Sequence, residues 1–276
     1  TASISDFVWE DLNGNGLQDT GEPGILGVTV TLDGRSTSGK NISKSVVTDS
    51  AGKYKLDSLP DGQYRVTFSI LPGYFFTKSI SGDESRNSDA NAITGETSAI
   101  ILQIGQRLET IDAGLYRPTS VGDFVWDDVN GNGIQDTGEP SISGVSVTLS
   151  GVSDATFAQV STTTDASGKY KFDNLKPGVY ILRFGDIADF RLADRNAGND
   201  VNKDSDVDNS GLATNIDLVS GTPRTDIDAG YVSTSTASIS DFVWEDLNGN
   251  GLQDTGEPGI LGVTVTLDGR STSGKN

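Results

Sequence analysis

The sequence predicts an all-β protein, made of tandem antiparallel β-sandwiches of about seven strands each and strung into a linear rod. Three observations carry that expectation. Apolar and polar side chains alternate at period two in short runs rich in β-branched and aromatic residues, as in Val28, Val30, Leu32 and again in Tyr64, Val66, Phe68. Turn signals such as Asp49-Ser50-Ala51-Gly52 and Pro60-Asp61-Gly62 separate the runs, and no stretch sustains a capped 3.6-residue period. The whole pattern then recurs along the chain.

Taken in order, strands are expected near Ile4–Trp9, Gly27–Leu32, Ser43–Thr48, Lys53–Leu56, Tyr64–Ile70, Ser98–Ile104 and Thr110–Leu115. The recurrence has two levels. On a shift of 117, twenty-two of the twenty-nine residues from Asp6 to Gly34 match Asp123 to Gly151, and both copies close with Ile-Asp-Ala-Gly, at Ile111 to Gly114 and Ile227 to Gly230. On a shift of 235, Thr236 to Asn276 repeat Thr1 to Asn41 without a difference. The expected organisation is one domain over 1–118, a second over 119–235, and over 236–276 the opening fragment of a third. The pair is read as the unit of duplication, and the chain as a window on a longer array. Linkers of three or four residues (Arg117-Pro118-Thr119-Ser120; Ser233-Thr234-Ser235) leave such units little room to swing. Trp9, Trp126 and Trp244 are expected in or beside the cores.

Between the first two strands of each copy lies a twelve-residue loop with side-chain oxygens at positions 1, 3, 5, 9 and 12 and Gly at position 6. The first runs through Asp11, Asn13, Asn15, Asp19 and Glu22, with Leu17 at position 7 offering its carbonyl. The second uses Asp128, Asn130, Asn132, Ile134, Asp136 and Glu139, and the third Asp246, Asn248, Asn250, Leu252, Asp254 and Glu257. A hard cation takes six to eight oxygens, and this spacing is the ligand grammar of an EF-hand loop, so calcium is the expected ion. Turn-forming Asp, Asn and Gly are the plainer reading of one such loop; three full matches favour the ion. With strands rather than helices on either side, the loop is expected to be a clip and not a sensor.

A second acidic segment follows later in each copy: Asp83, Asn87, Asp89 and Asn91 in the first, and Asp200, Asp204, Asp206 and Asp208 in the second. Its alternating oxygens suit a second calcium site, against the alternative of a solvated acidic loop. Asp6, Asp112, Asp123 and Asp228 flank strand ends, where each could complete a shell or cap a turn.

Composition narrows the function. There are 39 acidic and 20 basic residues, a net charge of −19, and no His, Cys or Met. That balance argues against nucleic acid or an anionic membrane as partner, and no apolar run approaches the ~20 residues that span a bilayer. Without His or Cys there is no His- or Cys-based nucleophile and little basis for zinc chemistry. A glycosidase built on paired carboxylates is the remaining enzymatic reading, and repetition of near-identical units weighs against it. No enzyme is expected.

Asp-Phe-Val-Trp, the Asp-x-Asn-x-Asn-Gly-x-Gln-Asp-x-Gly-Glu loop, Gly-Val-x-Val-Thr-Leu and Thr-Asp-x-x-Gly-Lys-Tyr together resemble the SdrD B-like repeat, the calcium-binding B domain of bacterial serine-aspartate repeat surface proteins. The resemblance implies a Cna-B or transthyretin-like sandwich, several calcium ions per domain, an extracellular or cell-surface location, and a role as stalk, spacer or filament. The family's loop ligands carry onto Asp11, Asn13, Asn15, Asp19 and Glu22 and the matching positions of the other copies. Related Cna-B domains form an isopeptide bond from a Lys on the first strand; Ile4–Trp9 and Ser120–Trp126 hold no Lys, so none is expected. The expected partners are neighbouring repeats in the same chain, and other copies end to end through 236–276. An adhesin that binds a host or matrix ligand is the alternative function, with Leu71-Pro72-Gly73-Tyr74-Phe75-Phe76 as its best patch and an inter-domain contact as an equal use for it.

Overall fold

The computed structural model describes residues 1–154, 156–235 and 238–269. Two β-sandwiches, each with its own apolar core, occupy the first 233 residues. Among the described residues there is no helix, and so none long and apolar enough to cross a membrane.

In sandwich one, β1 (Ala2–Glu10), β4 (Lys53–Leu59), β6 (Phe75–Phe76), β8 (Arg107–Leu108) and β9 (Ala113–Tyr116) make one sheet, in the order β4-β1-β9-β6 with β8 also on β1. The facing sheet has the order β3-β2-β5-β7, from β2 (Thr29–Ser36), β3 (Asn41–Val47), β5 (Gly62–Phe68) and β7 (Ile100–Leu102). The period-two residues do what their spacing predicts. Val30 and Leu32 of β2, Tyr64, Val66 and Phe68 of β5, and Tyr54 and Leu56 of β4 meet between the sheets. Each large apolar side chain so buried contributes roughly 1.5–3 kcal/mol. Trp9 is fully buried against Gly114, where a Cβ would stand 2.8 Å from the indole. Only glycine lets the ring lie that close to β9.

Sandwich two repeats the plan. Its first strand is split around Gly122 into β10 (Thr119–Val121) and β11 (Val125–Asp127), and the chain there packs so closely that a Cβ at Gly122 would stand 2.4 Å from the Tyr170 carbonyl oxygen. β10 pairs with β14 (Phe172–Leu175), and β11 joins β18 (Ala229–Ser233) and β16 (Phe190–Leu192). The second sheet runs β13-β12-β15-β17, from β12 (Ser146–Gly151), β13 (Val160–Thr163), β15 (Gly178–Phe184) and β17 (Leu212–Leu218).

Four details differ from expectation. Although most pairings are antiparallel, β1 runs parallel to β9 and β8, and β11 parallel to β18. Alternation of side chains shows a strand's faces and says nothing of its partner's direction. The last two strands are shorter than Ser98–Ile104 and Thr110–Leu115, since residues before Ala113 turn aside so that the Asp112 amide can bond the Asp89 carboxylate. The two-residue strands β6 and β8 are too brief to show any period. Finally, the expected linker is mostly structure: with β9 ending at Tyr116 and β10 starting at Thr119, only Arg117 and Pro118 lie between.

The Leu71–Phe76 stretch is partly absorbed, with Pro72, Gly73 and Phe75 left exposed. Phe76 enters the core, Phe75 stacks on Tyr116 with ring centroids 5.8 Å apart, and Tyr74 lies 5.7 Å beneath the Arg117 guanidinium. In the third copy the described residues 238–269 form a single bridge, Trp244 to Gly259, and no sheet. Residues 236–237 and 270–276 of that fragment lie outside the described residues.

Candidate metal centres

Each twelve-residue loop is shaped by its own first and last acidic residues. Asp11, fully buried, accepts from the Gly14, Asn15 and Gly16 amides at 2.7, 3.2 and 2.9 Å, which forces the turn that position 6 must make. Gly14 and Gly16 take φ of 71° and 84°, a left-handed backbone that a side chain would strain. Glu22 closes the loop: its two carboxylate oxygens accept from the Leu12 amide (2.7 Å) and the Asp19 amide (2.9 Å). Burial pushes the Glu22 carboxyl above its ordinary value. The same closure recurs from Glu139 to Val129 and Asp136, and from Glu257 to Leu247 and Asp254.

Inside the loop the amides of Asn13 and Asn15 both donate to Asp19 Oδ2, at 2.9 and 2.7 Å. Asp136 with Asn130 and Asn132, and Asp254 with Asn248 and Asn250, repeat the arrangement. Two partial positive charges thus sit against the carboxylate at position 9. An ion would replace them, with the amides turned so that their oxygens face it. Among the described residues no group of three or more acidic side chains, in the loops or elsewhere, is already drawn in to ion-binding distance.

The second acidic segment divides between two places. Leu17 bridges Asn87, with Gln18 N donating to Arg86 O at 2.7 Å and Ser88 N to Gly16 O at 3.1 Å; Ile134 bridges Asp204 in the same way. This pairing leaves the position-7 carbonyl out of its hydrogen bonds. It also lays Asn87 and Asp204 along the loop, each with a buried Oδ1 that has no hydrogen-bond partner. The terminal loop has no such strand beside it, and Asp246, the copy of buried Asp11, is exposed.

Two residues on, Asp89 and Asp206 belong to a different group, a buried carboxylate cluster. Parallel pairing of β1 with β9 sets Val8 against Ala113, and so brings Asp6, two residues earlier, beside Asp112. Asp89 Oδ2 accepts from the Asp112 amide at 2.8 Å, and the Asp6 carboxyl lies within hydrogen-bonding reach of the Asp112 carboxyl. Asp112 is 0% exposed, yet neither of its carboxylate oxygens has a proper donor. In sandwich two, Asp123, Asp206 and Asp228 occupy the matching places: Asp206 Oδ2 accepts from the Asp228 amide at 2.8 Å, and Asp228 Oδ2 is buried without a partner.

Burial first, and then repulsion from nearby carboxylates, raises every one of these carboxyls. Asp89, Asp123 and Asp206 are pushed up to about 6 and Asp228 to about 8, while the Asp6–Asp112 pair moves up together. A buried acidic cluster repeated in two sandwiches, with orphaned carboxyl oxygens on Asp6, Asp112 and Asp228, fits a divalent cation by the chemistry of its atoms.

The remaining acidic residues of the segment have local partners. Asp83 bonds Ser85 and Arg86, Asp200 bonds Asn202, and Asn91 and Asp208 cap the turns that follow them. Asp6, Asp112, Asp123 and Asp228 were legible as strand-end carboxylates but not as one cluster with Asp89 and Asp206. The signal was their recurrence in Asp-Phe-Val-Trp and Ile-Asp-Ala-Gly of both copies; the missing fact was the parallel pairing.

The sign of the pH dependence follows. With folded pKa values above the unfolded carboxylate value of about 4, these groups contribute stability that is complete below pH ~4 and lost as pH climbs through 6 to 8. The chelated protein should therefore melt higher at pH 5 than at pH 8, and calorimetry with chelator at both values checks it. Equal or lower melting at pH 5 would mean that the clusters are not charged traps.

Comparison with known proteins now has a site to bear on. The SdrD B-like domain profile matches residues 2–115, 119–231 and 237–276. The chain is 40% identical over 267 residues to serine-aspartate repeat-containing protein F of Staphylococcus epidermidis, covering 96% of this chain and 14% of that one. It is 39% identical over 267 residues to serine-aspartate repeat-containing protein D of Staphylococcus aureus strain MW2, covering 96% and 19%. The chain thus spans less than a fifth of the length of these relatives. Among solved structures, the minor pilin GBS52 of Streptococcus agalactiae aligns over 87% of this chain and all of that one, at 11% identity and a TM-score of 0.31, too loose an overlay to bear an argument.

Proposed function

Because this chain belongs to the SdrD B-like domain family, and so to an extracellular or cell-surface structural repeat, we propose that calcium makes it a stiff stalk segment. Each ion acts as a rivet in the sandwich that holds it. The observation that carries this reading is the pair of fully buried, donor-poor carboxylates Asp112 and Asp228, each at the core end of a parallel strand. Such a group costs stability unless a cation meets it. The ligands in sandwich one would be Asp11, Asn13, Asn15, the Leu17 carbonyl, Asp19 and Glu22, with Asn87 alongside, and separately Asp6, Asp89 and Asp112. Sandwich two would use Asp128, Asn130, Asn132, Ile134, Asp136 and Glu139 with Asp204, and Asp123, Asp206 and Asp228.

Both centres tie β1, or its split counterpart β10–β11, to the rest of the sandwich. The loop follows β1 directly, and the cluster joins β1 to the start of β9. Asp204 stands where sandwich one has Asn87, which gives the second loop one more negative charge and a tighter hold on an ion. The mechanical consequence is a rod whose first strand cannot peel while the ions stay bound.

Titration calorimetry tests the assignment. Calcium should bind the chain at more than one site per sandwich, and Glu22→Gln with Glu139→Gln should remove the loop sites while the buried clusters still bind. Undiminished stoichiometry in that double variant would put the ions elsewhere.

A further inference from the structure

We infer that the near end of sandwich one, around Ile104, is the seat for the far end of the sandwich two that precedes it in the 235-residue period. The rod is then closed at every joint. The inference rests on the stalk reading above and adds a surface to it.

The observed joint is between sandwiches one and two. Glu10, at the end of β1, is almost wholly buried. It accepts from Arg117 Nε at 2.9 Å and from Ser220 Oγ at 2.6 Å, while Ser220 N donates to Leu12 O at 3.0 Å. Gly14 meets Pro177 so closely that a Cβ would lie 2.3 Å from its carbonyl oxygen. Lys78 of sandwich one also attracts Asp154 of sandwich two. Backbone, carboxylate and charge all join the far end of one sandwich to the near end of the next.

The same ends are present, unjoined, at the other side of each sandwich. In sandwich one Leu102-Gln103-Ile104-Gly105 takes the place of Leu218-Val219-Ser220-Gly221, anchored alike by Leu102 and Leu218, each 1% exposed. Ser220 is 2% exposed because sandwich one covers it; Ile104 is 83% exposed. A branched apolar side chain therefore stands in water at the position where its counterpart is sealed. At the far end of sandwich two, Asp127 replaces Glu10 and has a buried Oδ1 with no hydrogen-bond partner. Ser233 and Val232 replace Arg117 and Tyr116 there.

Charge points the same way. Asp194 occupies the place of Lys78, as each gives its carbonyl to the close approach of the loop glycine, Gly133 or Gly16. The Ser36–Lys40 turn of sandwich one occupies the place of the Asp154 turn and is flanked by exposed Arg35 and Lys40, with Asp61 bonded to Thr37 beside them. The Lys78–Asp154 attraction thus has its sign reversed on both sides, which preserves complementarity. A copy of sandwich one's sequence does begin again at Thr236, three residues after β18 ends at Ser233.

A chain of two 235-residue periods tests the seat, since each sandwich encloses its own core. The protein has no cysteine, so Thr94→Cys and Thr214→Cys give unique spin-label positions, one in each sandwich. With calcium present, distances from Thr214 to Thr94 of the following period should be as narrowly distributed as those across the observed joint. Ile104→Asp in the second period should broaden the former and spare the latter, whereas Val47→Asp, at an exposed strand position, should change neither. A broad two-to-one distribution in the parent, or a narrow one that Ile104→Asp leaves alone, overturns the seat. Melting of the same chains with and without calcium separates the two ideas: a retained calcium effect beside a loose joint sinks the seat alone, and no calcium effect sinks the stalk reading beneath it.

Discussion

Chelation is expected to lower the melting temperature by about 10 °C at neutral pH. Extracellular modules hold calcium with Kd on the order of 10⁻⁴ to 10⁻³ M. At ten times Kd one site adds roughly 1.4 kcal/mol, so two sites in a sandwich add about 3 kcal/mol. For a domain of this size that is a shift of about 10 °C. Loss of the ion also uncovers a cost, because both Asp112 carboxyl oxygens and Asp228 Oδ2 then stay buried without donors. The measurement is a pair of calorimetric scans, in millimolar calcium and in excess chelator, with magnesium as a control. Overlapping scans in calcium and chelator would remove the rivet from the account.

Asp112→Asn is expected to move stability in opposite directions in the two conditions. In chelator the variant should melt above the parent, since the change removes a carboxyl that burial, and then the Asp6 and Asp89 charges, oblige to take up a proton on folding. The gain should be on the order of 2 kcal/mol, the scale of an unmet buried polar group. In calcium the variant should melt below the parent, because a charged ligand of the cluster is gone. Asp228→Asn should do the same in sandwich two. A purely architectural Asp112, present only to hold β9 beside β1, predicts a loss in both conditions. The crossing of the two curves is thus the informative result, and it needs no knowledge of absolute affinity.

How far the sequence could be read depends on what each residue depends on. Val30 and Leu32 show their faces locally, so the sheets and most strand positions were legible. The shape of the loops was legible because the residues that make it are neighbours in the chain: Asp11 to Glu22 form one turn, and its hydrogen bonds recur even in the terminal copy, where no sandwich surrounds it. The buried cluster was not legible as a unit. Asp6 and Asp112 are over a hundred residues apart and meet through a parallel pairing that alternation does not encode. The second acidic segment was read as one site, yet Asn87 pairs with the loop at Leu17 while Asp89 takes the Asp112 amide, and partners so distant in the chain leave no mark on the local spacing. Arg117 looked like linker and is part of a joint, for a side chain's partners across a boundary leave no periodic trace.

The most direct test is a crystal structure grown in calcium, with attention to the amides of Asn13, Asn15, Asn130 and Asn132. The account predicts metal density bounded by Asp11, Asn13, Asn15, Asp19 and Glu22, oxygens at about 2.3–2.6 Å, and the amide nitrogens turned away from Asp19 and Asp136. It predicts further density among Asp6, Asp89 and Asp112, and among Asp123, Asp206 and Asp228. Loops still closed by Asn-to-Asp hydrogen bonds, around water alone and with calcium plentiful, would contradict it.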